Sequence, residues 1–275
     1  MAKAEKAEYG VNMNGAKGKE RLDLLLVHRG IVPSRERARA LIMAGQVVVN
    51  DHAAKKAGEM VAIEADVRLK GEPLAFVSRG GLKLEKALDA FGIQVSGLAI
   101  LDVGASTGGF TDCLLQRGAR RVIAVDVGYG QLAWKLRQDE RVVNMEKTNI
   151  RHLTPEKLPE IPDMAVIDAS FISLAKVLPA TICLIRDDGE IIALIKPQFE
   201  VGKGEVGKGG VVRDNRKHDE VIEAIRILAG SLHLKVLGIT ESPILGPKGN
   251  REFLIQLRKV AFPVGESLES GTSEP

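Results

Sequence analysis

Residues 101–110 read Leu-Asp-Val-Gly-Ala-Ser-Thr-Gly-Gly-Phe, after the short apolar run Leu98-Ala99-Ile100 and before Thr111–Gln116. Strand, glycine-rich turn and helix start, in that order, bring backbone N–H groups close to a ligand, because glycine has no Cβ to block the approach. A second apolar run, Val122–Val125, ends in Asp126, at about the distance expected of a carboxylate that grips a ribose. The pattern implies a nucleoside-cofactor pocket, with Gly104, Ala105, Ser106, Gly108, Gly109 and Phe110 around the turn and Asp102 and Asp126 as its acids. A dinucleotide would call for Gly-x-Gly-x-x-Gly, but Ala105, Ser106 and Thr107 separate Gly104 from Gly108 and Gly109. Asp102 suits the cationic methionine end of S-adenosylmethionine better than a pyrophosphate, which it would repel. A tight strand–helix turn with no ligand is the plain alternative.

A methyl donor needs a prepared acceptor. Asp168 ends the run Val166-Ile-Asp, and Lys196 ends Ile192-Ala-Leu-Ile-Lys. Ligands of open α/β sheets bind outside the carboxyl ends of the strands, so both side chains are expected at the crevice of Gly104, Asp168 within reach of the cofactor too. Glu252 starts the last strand; if that strand is antiparallel, its start lies at the same edge. Lys83 follows Ser78-Arg-Gly-Gly on a helix of its own. A Lys–Asp–Lys–Glu group suits methylation of a ribose hydroxyl, a poor nucleophile whose proton a neutral amine can accept as the methyl moves in line. Two neighbouring lysines disfavour double protonation, while the carboxylates orient both amines. Lys196 is expected as base or orienting residue with Asp168 beside it, and Lys83 and Glu252 complete the group. Taken singly, each also reads as a snorkelling lysine or a carboxylate in a surface ion pair.

The elements that must position these groups follow from the hydrophobic pattern. Strands are expected at 98–103, 121–126, 142–146, 164–168, 189–195, 234–240 and 252–258, and helices at 108–117, 131–137, 173–186 and 216–231. Such alternation argues an α/β fold with a doubly wound parallel sheet, and the last two strands, with only Glu241–Arg251 between them, argue a closing antiparallel hairpin. The chain is expected to divide into a disordered tail at 1–18, a small α+β domain at 19–77, a Rossmann-like domain at 78–263 and a second disordered tail at 264–275. In the small domain, helices at Leu22–His28 and from the Ser34 cap to Ala44 precede a strand at Gln46–Asn50 and further strand at Val61–Leu69. Arg35 and Arg39 share a helix face, and with Arg21, Arg29, Arg37, Lys55 and Lys56 they make a basic surface that could lie along phosphates. A solvated helix face is the alternative.

Arg21–Gly30, Ser34–Ile42 and Gly45–Asn50 resemble an S4 RNA-binding domain. Ser78–Lys86, Asp102–Asp112, Val166–Ser173 and Lys196–Glu200 resemble the TlyA (hemolysin A) family, which joins an S4 domain to an FtsJ-like methyltransferase domain. The resemblance implies a Rossmann-like class I methyltransferase sheet with an antiparallel final strand, S-adenosylmethionine as cofactor, and 2′-O-methylation of cytidine in ribosomal RNA. It also maps the FtsJ-type tetrad onto Lys83, Asp168, Lys196 and Glu252. One departure is Ser106-Thr107, where a proline is common in the wider FtsJ group.

Composition bounds the remaining readings. A formal net charge of +3 permits nucleic-acid binding without requiring it, and 4% aromatic residues argue against base stacking as the dominant contact. Cys113 and Cys183 lack metal spacing and are expected as buried thiols of a cytoplasmic protein; no metal site is expected. Neither a leader peptide nor a membrane-spanning run is read in the sequence. Gly202–Lys208 has P-loop spacing, but Gly209 stands where Ser or Thr is needed, so a mobile loop over RNA is favoured. Tyr129 and Trp134 could flank an adenine, though a core tryptophan is as good a reading. The competing functions are a non-catalytic RNA-binding or ribosome-assembly module, a nicotinamide-dependent oxidoreductase, and a hemolysin-like activity. Partner subunit and oligomeric state are not legible.

Overall fold

The computed structural model describes residues 18–70, 75–202, 204–207 and 209–260. The expected tails at 1–18 and 264–275 lie outside the described residues, Gly18 apart. The chain divides into two compact units, Met1–Glu72 and Pro73–Pro275. This places the division ahead of the 77/78 boundary expected above, because Phe76 is 5% exposed and belongs to the core of the second unit with Leu84, Leu88 and Phe110.

In the first unit, β1 (Lys19–Arg21) leads into α1 (Leu22–His28), followed by α2 (Arg35–Met43), β2 (Val47–Val49), β3 (His52–Ala53), β4 (Met60–Ala62) and β5 (Val67–Leu69). The Ser34 hydroxyl accepts from Arg37 N and caps α2. Leu22, Leu25 and Leu26 of α1 pack with Ala38 and Ile42 of α2 and with Val47 and Val67. The strand expected over 61–69 is two short strands. β4 pairs with β1 and β5 pairs with β2, so the chain must turn between them.

The second unit begins with α3 (Gly80–Phe91), then β6 (Ala99–Val103), α4 (Gly109–Gln116), β7 (Arg121–Val125), α5 (Trp134–Arg137) and β8 (Val142–Met145). It continues through β9 (Met164–Ile167), α6 (Leu174–Ile182), β10 (Glu190–Ile195), α7 (Pro197–Glu200), α8 (Asn215–Ser231), β11 (Leu234–Glu241) and β12 (Phe253–Lys259). Among the described residues its sheet has seven strands in the order β11-β12-β10-β9-β6-β7-β8. β6 to β10 are parallel, and β12 runs antiparallel to both β10 and β11. The expected antiparallel hairpin forms this end of the sheet, with β12 between β10 and β11 and β11 at the edge.

Strands buried on both faces explain the continuous apolar runs. Along β10, Ile191, Ala193 and Ile195 share a core with α6 and α8, while Ile192 and Leu194 share the other with α3 and α4. Four expectations change. The helix read at 131–137 is one turn, α5, and Trp134 is 73% exposed rather than in the core. The helix read at 173–186 stops at Ile182, and Cys183 is exposed, while Cys113 is buried as expected. Among the described residues no helix is long and apolar enough to cross a membrane.

The turn after β6 shows why glycine is needed. Gly104 has φ +87°, and a Cβ there would lie 2.9 Å from the Asp168 carbonyl oxygen and 3.1 Å from Ala169 Cα. Gly130 has φ +71° but open space around it. Gly104→Ala is therefore expected to destabilise the second unit by about 1–3 kcal/mol in chemical denaturation. Gly130→Ala should cost clearly less, and equal losses would show that backbone strain, not close approach, governs the turn.

Candidate active site

The carboxyl edge of the sheet gathers charged groups from four elements. β10 and β12 pair with Ile195 opposite Phe253, so Lys196 and Glu252 lie side by side just past that pairing. Glu252 sits one residue ahead of its strand, and Asp168 one residue beyond β9. Lys83, from α3, places Nζ 2.6 Å from Glu252 Oε2, with the two side chains 7% and 0% exposed. Lys196 Nζ lies 2.5 Å from Asp168 Oδ1 and donates to Ser170 Oγ at 2.8 Å. Gln198 Nε2, on α7, donates to Glu252 Oε1 at 3.4 Å and links the Lys83–Glu252 pair to the chain just after Lys196. The structure thus brings the four sequence-derived residues to one edge as two ion pairs, each lysine with its own carboxylate.

Next to them is a cavity of about 560 Å³. Gly104, Ser106, Asp126 and Asp168 line it, as the turn pattern implies, along with the apolar Val103, Val125, Ile150 and Ile172. Asp126 Oδ2 accepts from Ser106 N at 2.8 Å and Oδ1 from Gly128 N at 2.7 Å. Each oxygen keeps a further lone pair, so the carboxylate can still accept from ribose hydroxyls. Apolar walls for a purine, an acid for a ribose and a close-approach glycine fit S-adenosylmethionine. The loop after β8 also contributes Thr148, Asn149 and Arg151, which no sequence motif marked.

The other turn residues do not reach this cavity. Gly108 packs beneath Leu132 and Leu136, Gly109 against Ser78 and Gly81, Ala105 is 7% exposed, and Phe110 lies in the core. They shape the turn from behind. Asp102 faces inward: it is fully buried and Thr111 Oγ1 donates to its Oδ2 at 2.6 Å. Its expected place against the methionine end is not where the side chain points. Tyr129, 72% exposed with Lys147 Nζ 4.2 Å above its ring, and Trp134 also stand off the cavity wall; Val127, Gly128 and Gln131 line it there. Of the Gly202–Lys208 loop, Lys203 and Lys208 lie outside the described residues.

In the first unit the basic residues separate into two kinds. Arg21, Arg35 and Arg39 converge on the buried Asp23, at 3.0, 3.0 and 3.2 Å. The Arg21 guanidinium, helped by Arg35 and Arg39 against burial, holds the Asp23 carboxyl well below the usual carboxylate range. Arg29 donates to the Ala65 carbonyl at 2.6 Å and to that of Ile63, which makes it a tie within the fold. Arg37, Lys55 and Lys56 are exposed.

Burial pushes the Asp102 carboxyl up to about 7, the largest of its causes, with Asp168 and Asp126 adding to the rise and the Thr111 hydroxyl opposing it. The folded state therefore holds this proton where an unfolded chain, near 3.8, has lost it. Stability from this group is full below about pH 4 and is lost as pH rises toward 7. Asp102→Asn is expected to flatten that slope in thermal unfolding from pH 4 to 8, and an unchanged slope would place the proton elsewhere.

Comparisons with known proteins agree with this geometry. The FtsJ-like methyltransferase family matches residues 76–259, and the S4 domain family residues 20–67. The chain is 49% identical over 239 residues to the 16S/23S rRNA (cytidine-2′-O)-methyltransferase TlyA of Mycobacterium tuberculosis, covering 86% of this chain and 89% of that protein. It is 40% identical over 235 residues to hemolysin A of Brachyspira hyodysenteriae, covering 85% and 98%. A solved structure from Streptococcus thermophilus, provisionally named a hemolysin, superposes with TM-score 0.71 at 47% identity, over 90% of this chain and 91% of that one.

Proposed function

The chain belongs to the FtsJ-like methyltransferase family, with an S4 domain ahead of the catalytic unit, and on that premise we propose that it methylates the ribose 2′-hydroxyl of a cytidine in ribosomal RNA. The substrate is RNA carried in a ribosomal subunit, met in the cytoplasm. The observation that carries this reading is the pair of lysine–carboxylate contacts, Lys83–Glu252 and Lys196–Asp168, at the sheet edge beside the cofactor cavity.

S-adenosylmethionine, when bound, supplies an electrophilic methyl group. Lys196, in its neutral form, would accept the hydroxyl proton at Nζ as the ribose O–C bond forms and the donor's S–C bond breaks, its electron pair leaving on the thioether sulfur, while Asp168 Oδ1 and Ser170 Oγ fix the position of that nitrogen. Glu252 holds Lys83 beside it, and the Lys83 ammonium stabilises negative charge building on the ribose oxygen. Asp126 and the Gly104 turn hold the nucleoside of the cofactor. Ser170 was absent from the sequence reading; its signal is its place two residues after Asp168, at the same strand end.

Methyl transfer to ribosomal subunits from cells lacking this protein, followed by mass mapping of ribose methylation, tests the proposal. Lys196→Ala is expected to lower the rate by about 10²–10⁴-fold while RNA and cofactor binding persist. Undiminished transfer would remove Lys196 from the chemistry. On the S4 unit, replacing Arg37, Lys55 and Lys56 by Ala should make RNA affinity less salt-dependent, by a slope of about 0.7–0.9 per lost phosphate contact. Arg29→Ala should instead lower the unit's melting midpoint. The reverse pattern would assign the phosphate contacts to Arg29.

A further inference from the structure

A second hollow of about 430 Å³, lined by Arg151, Phe171, Ile172, Ser173, Lys176 and Phe199, adjoins the cofactor cavity. Arg151, Phe171 and Ile172 line both spaces, so the two share a wall. The hollow also borders the reacting edge: Lys196 Nζ lies 5.9 Å from the centre of the Phe199 ring, and that ring sits 5.1 Å from Phe171. Phe171 is 91% exposed with φ +63°, an apolar side chain held outward on backbone that non-glycine residues rarely adopt. An exposed aromatic face on strained backbone, next to a catalytic amine, points to a ligand.

The charge of the hollow narrows what that ligand is. Arg151 and Lys176 are both exposed, and among the described residues neither has a carboxylate partner. Elsewhere on this unit Arg120, Arg121, Arg137, Arg141 and Arg186 are each in an ion pair. Glu200, which touches the lining residue Ser173, is engaged: Ser173 Oγ donates to it at 2.6 Å and Leu174 N at 2.9 Å. Burial also pushes the Glu200 carboxyl above its ordinary value, which lessens its repulsion of an anion. Two unpaired cations at the mouth of a hollow with an aromatic wall match the chemistry of a single-stranded RNA backbone.

We propose that this hollow is an RNA subsite in which Arg151 and Lys176 take the phosphates flanking the methylated ribose, and so fix that ribose against Lys196. The subsite rests on the ribose-methylation reading above. It makes Lys176 a positioning residue. Because Lys176 lines only the second hollow, its removal leaves the cofactor cavity intact, whereas Arg151 belongs to both.

The test is methyl transfer by the full chain to ribosomal subunits from cells lacking it, with S-adenosylmethionine binding measured separately by calorimetry. For Lys176→Ala, KM for the subunit is expected to rise about five- to tenfold with kcat within about twofold, cofactor affinity unchanged, and the salt dependence of KM shallower by about 0.7. Lys176→Arg should restore most of the loss, and Lys176→Glu should exceed it. An unchanged KM and salt slope, or a Glu variant no worse than Ala, would overturn the subsite while leaving the methylation reading in place. Tight, Lys176-dependent binding of an acidic peptide with no effect on the subunit's KM would overturn it too, by assigning the hollow to a protein partner. No transfer by the wild-type chain would remove both readings together.

Discussion

A lysine ammonium withdrawn from water is tolerated only with a counter-charge at hydrogen-bond distance, and Lys83, 7% exposed and 2.6 Å from Glu252, states that constraint for this molecule. A pair of this kind adds little net stability, since desolvation offsets most of the attraction, while removal of either partner leaves a bare charge inside. Much of the second unit can be understood as what brings Lys83 and Glu252 together. α3 delivers the lysine across the sheet edge, and β12, antiparallel in a parallel sheet, delivers the carboxylate. The same reversal sets Glu252 beside Lys196, whose own partner, Asp168, comes from the neighbouring strand β9.

The first unit uses buried charge in another way. Asp23 is fully buried on a helix whose neighbours Leu22, Leu25 and Leu26 form the core, yet three half-exposed guanidinium groups reach it from outside. One carboxylate orders three long side chains that would otherwise sample many rotamers, at the entropic cost such ordering carries. Their outer N–H groups remain turned to solvent. Basic residues without such a tether, Arg37, Lys55 and Lys56, stay adaptable, and Arg29 closes the fold by bonding backbone carbonyls.

Much of the fold was legible because apolar runs of β-branched residues mark fully buried strands, and every expected strand of the second unit lies within a residue or two of an observed one. The tetrad was legible for a topological reason: strand ends of a parallel sheet share one edge, so Asp168 and Lys196 had to meet. The glycine-rich turn was legible as a turn but not residue by residue. Period and propensity do not say whether Asp102 points to the cavity or the core, and it points to the core. The wall made by Thr148, Asn149 and Arg151 was invisible because irregular loops carry no pattern. Trp134 and Cys183 misled for a related reason: hydrophobic character predicts burial only where an element presents it inward, and α5 and the end of α6 present these residues outward.

The insertion of β12 between β10 and β11 has a consequence in time. A ribosome releases Lys83, Asp168 and Lys196 well before residue 252, so a nascent chain carries an ammonium with no place in the interior until Glu252 and β12 arrive. The sheet cannot be completed in chain order, because the slot between β10 and β11 is filled only after β11 has been made. Competence therefore waits on the emergence of β12, since a copy that stops short of it lacks Glu252 and leaves Lys83 without its counter-charge.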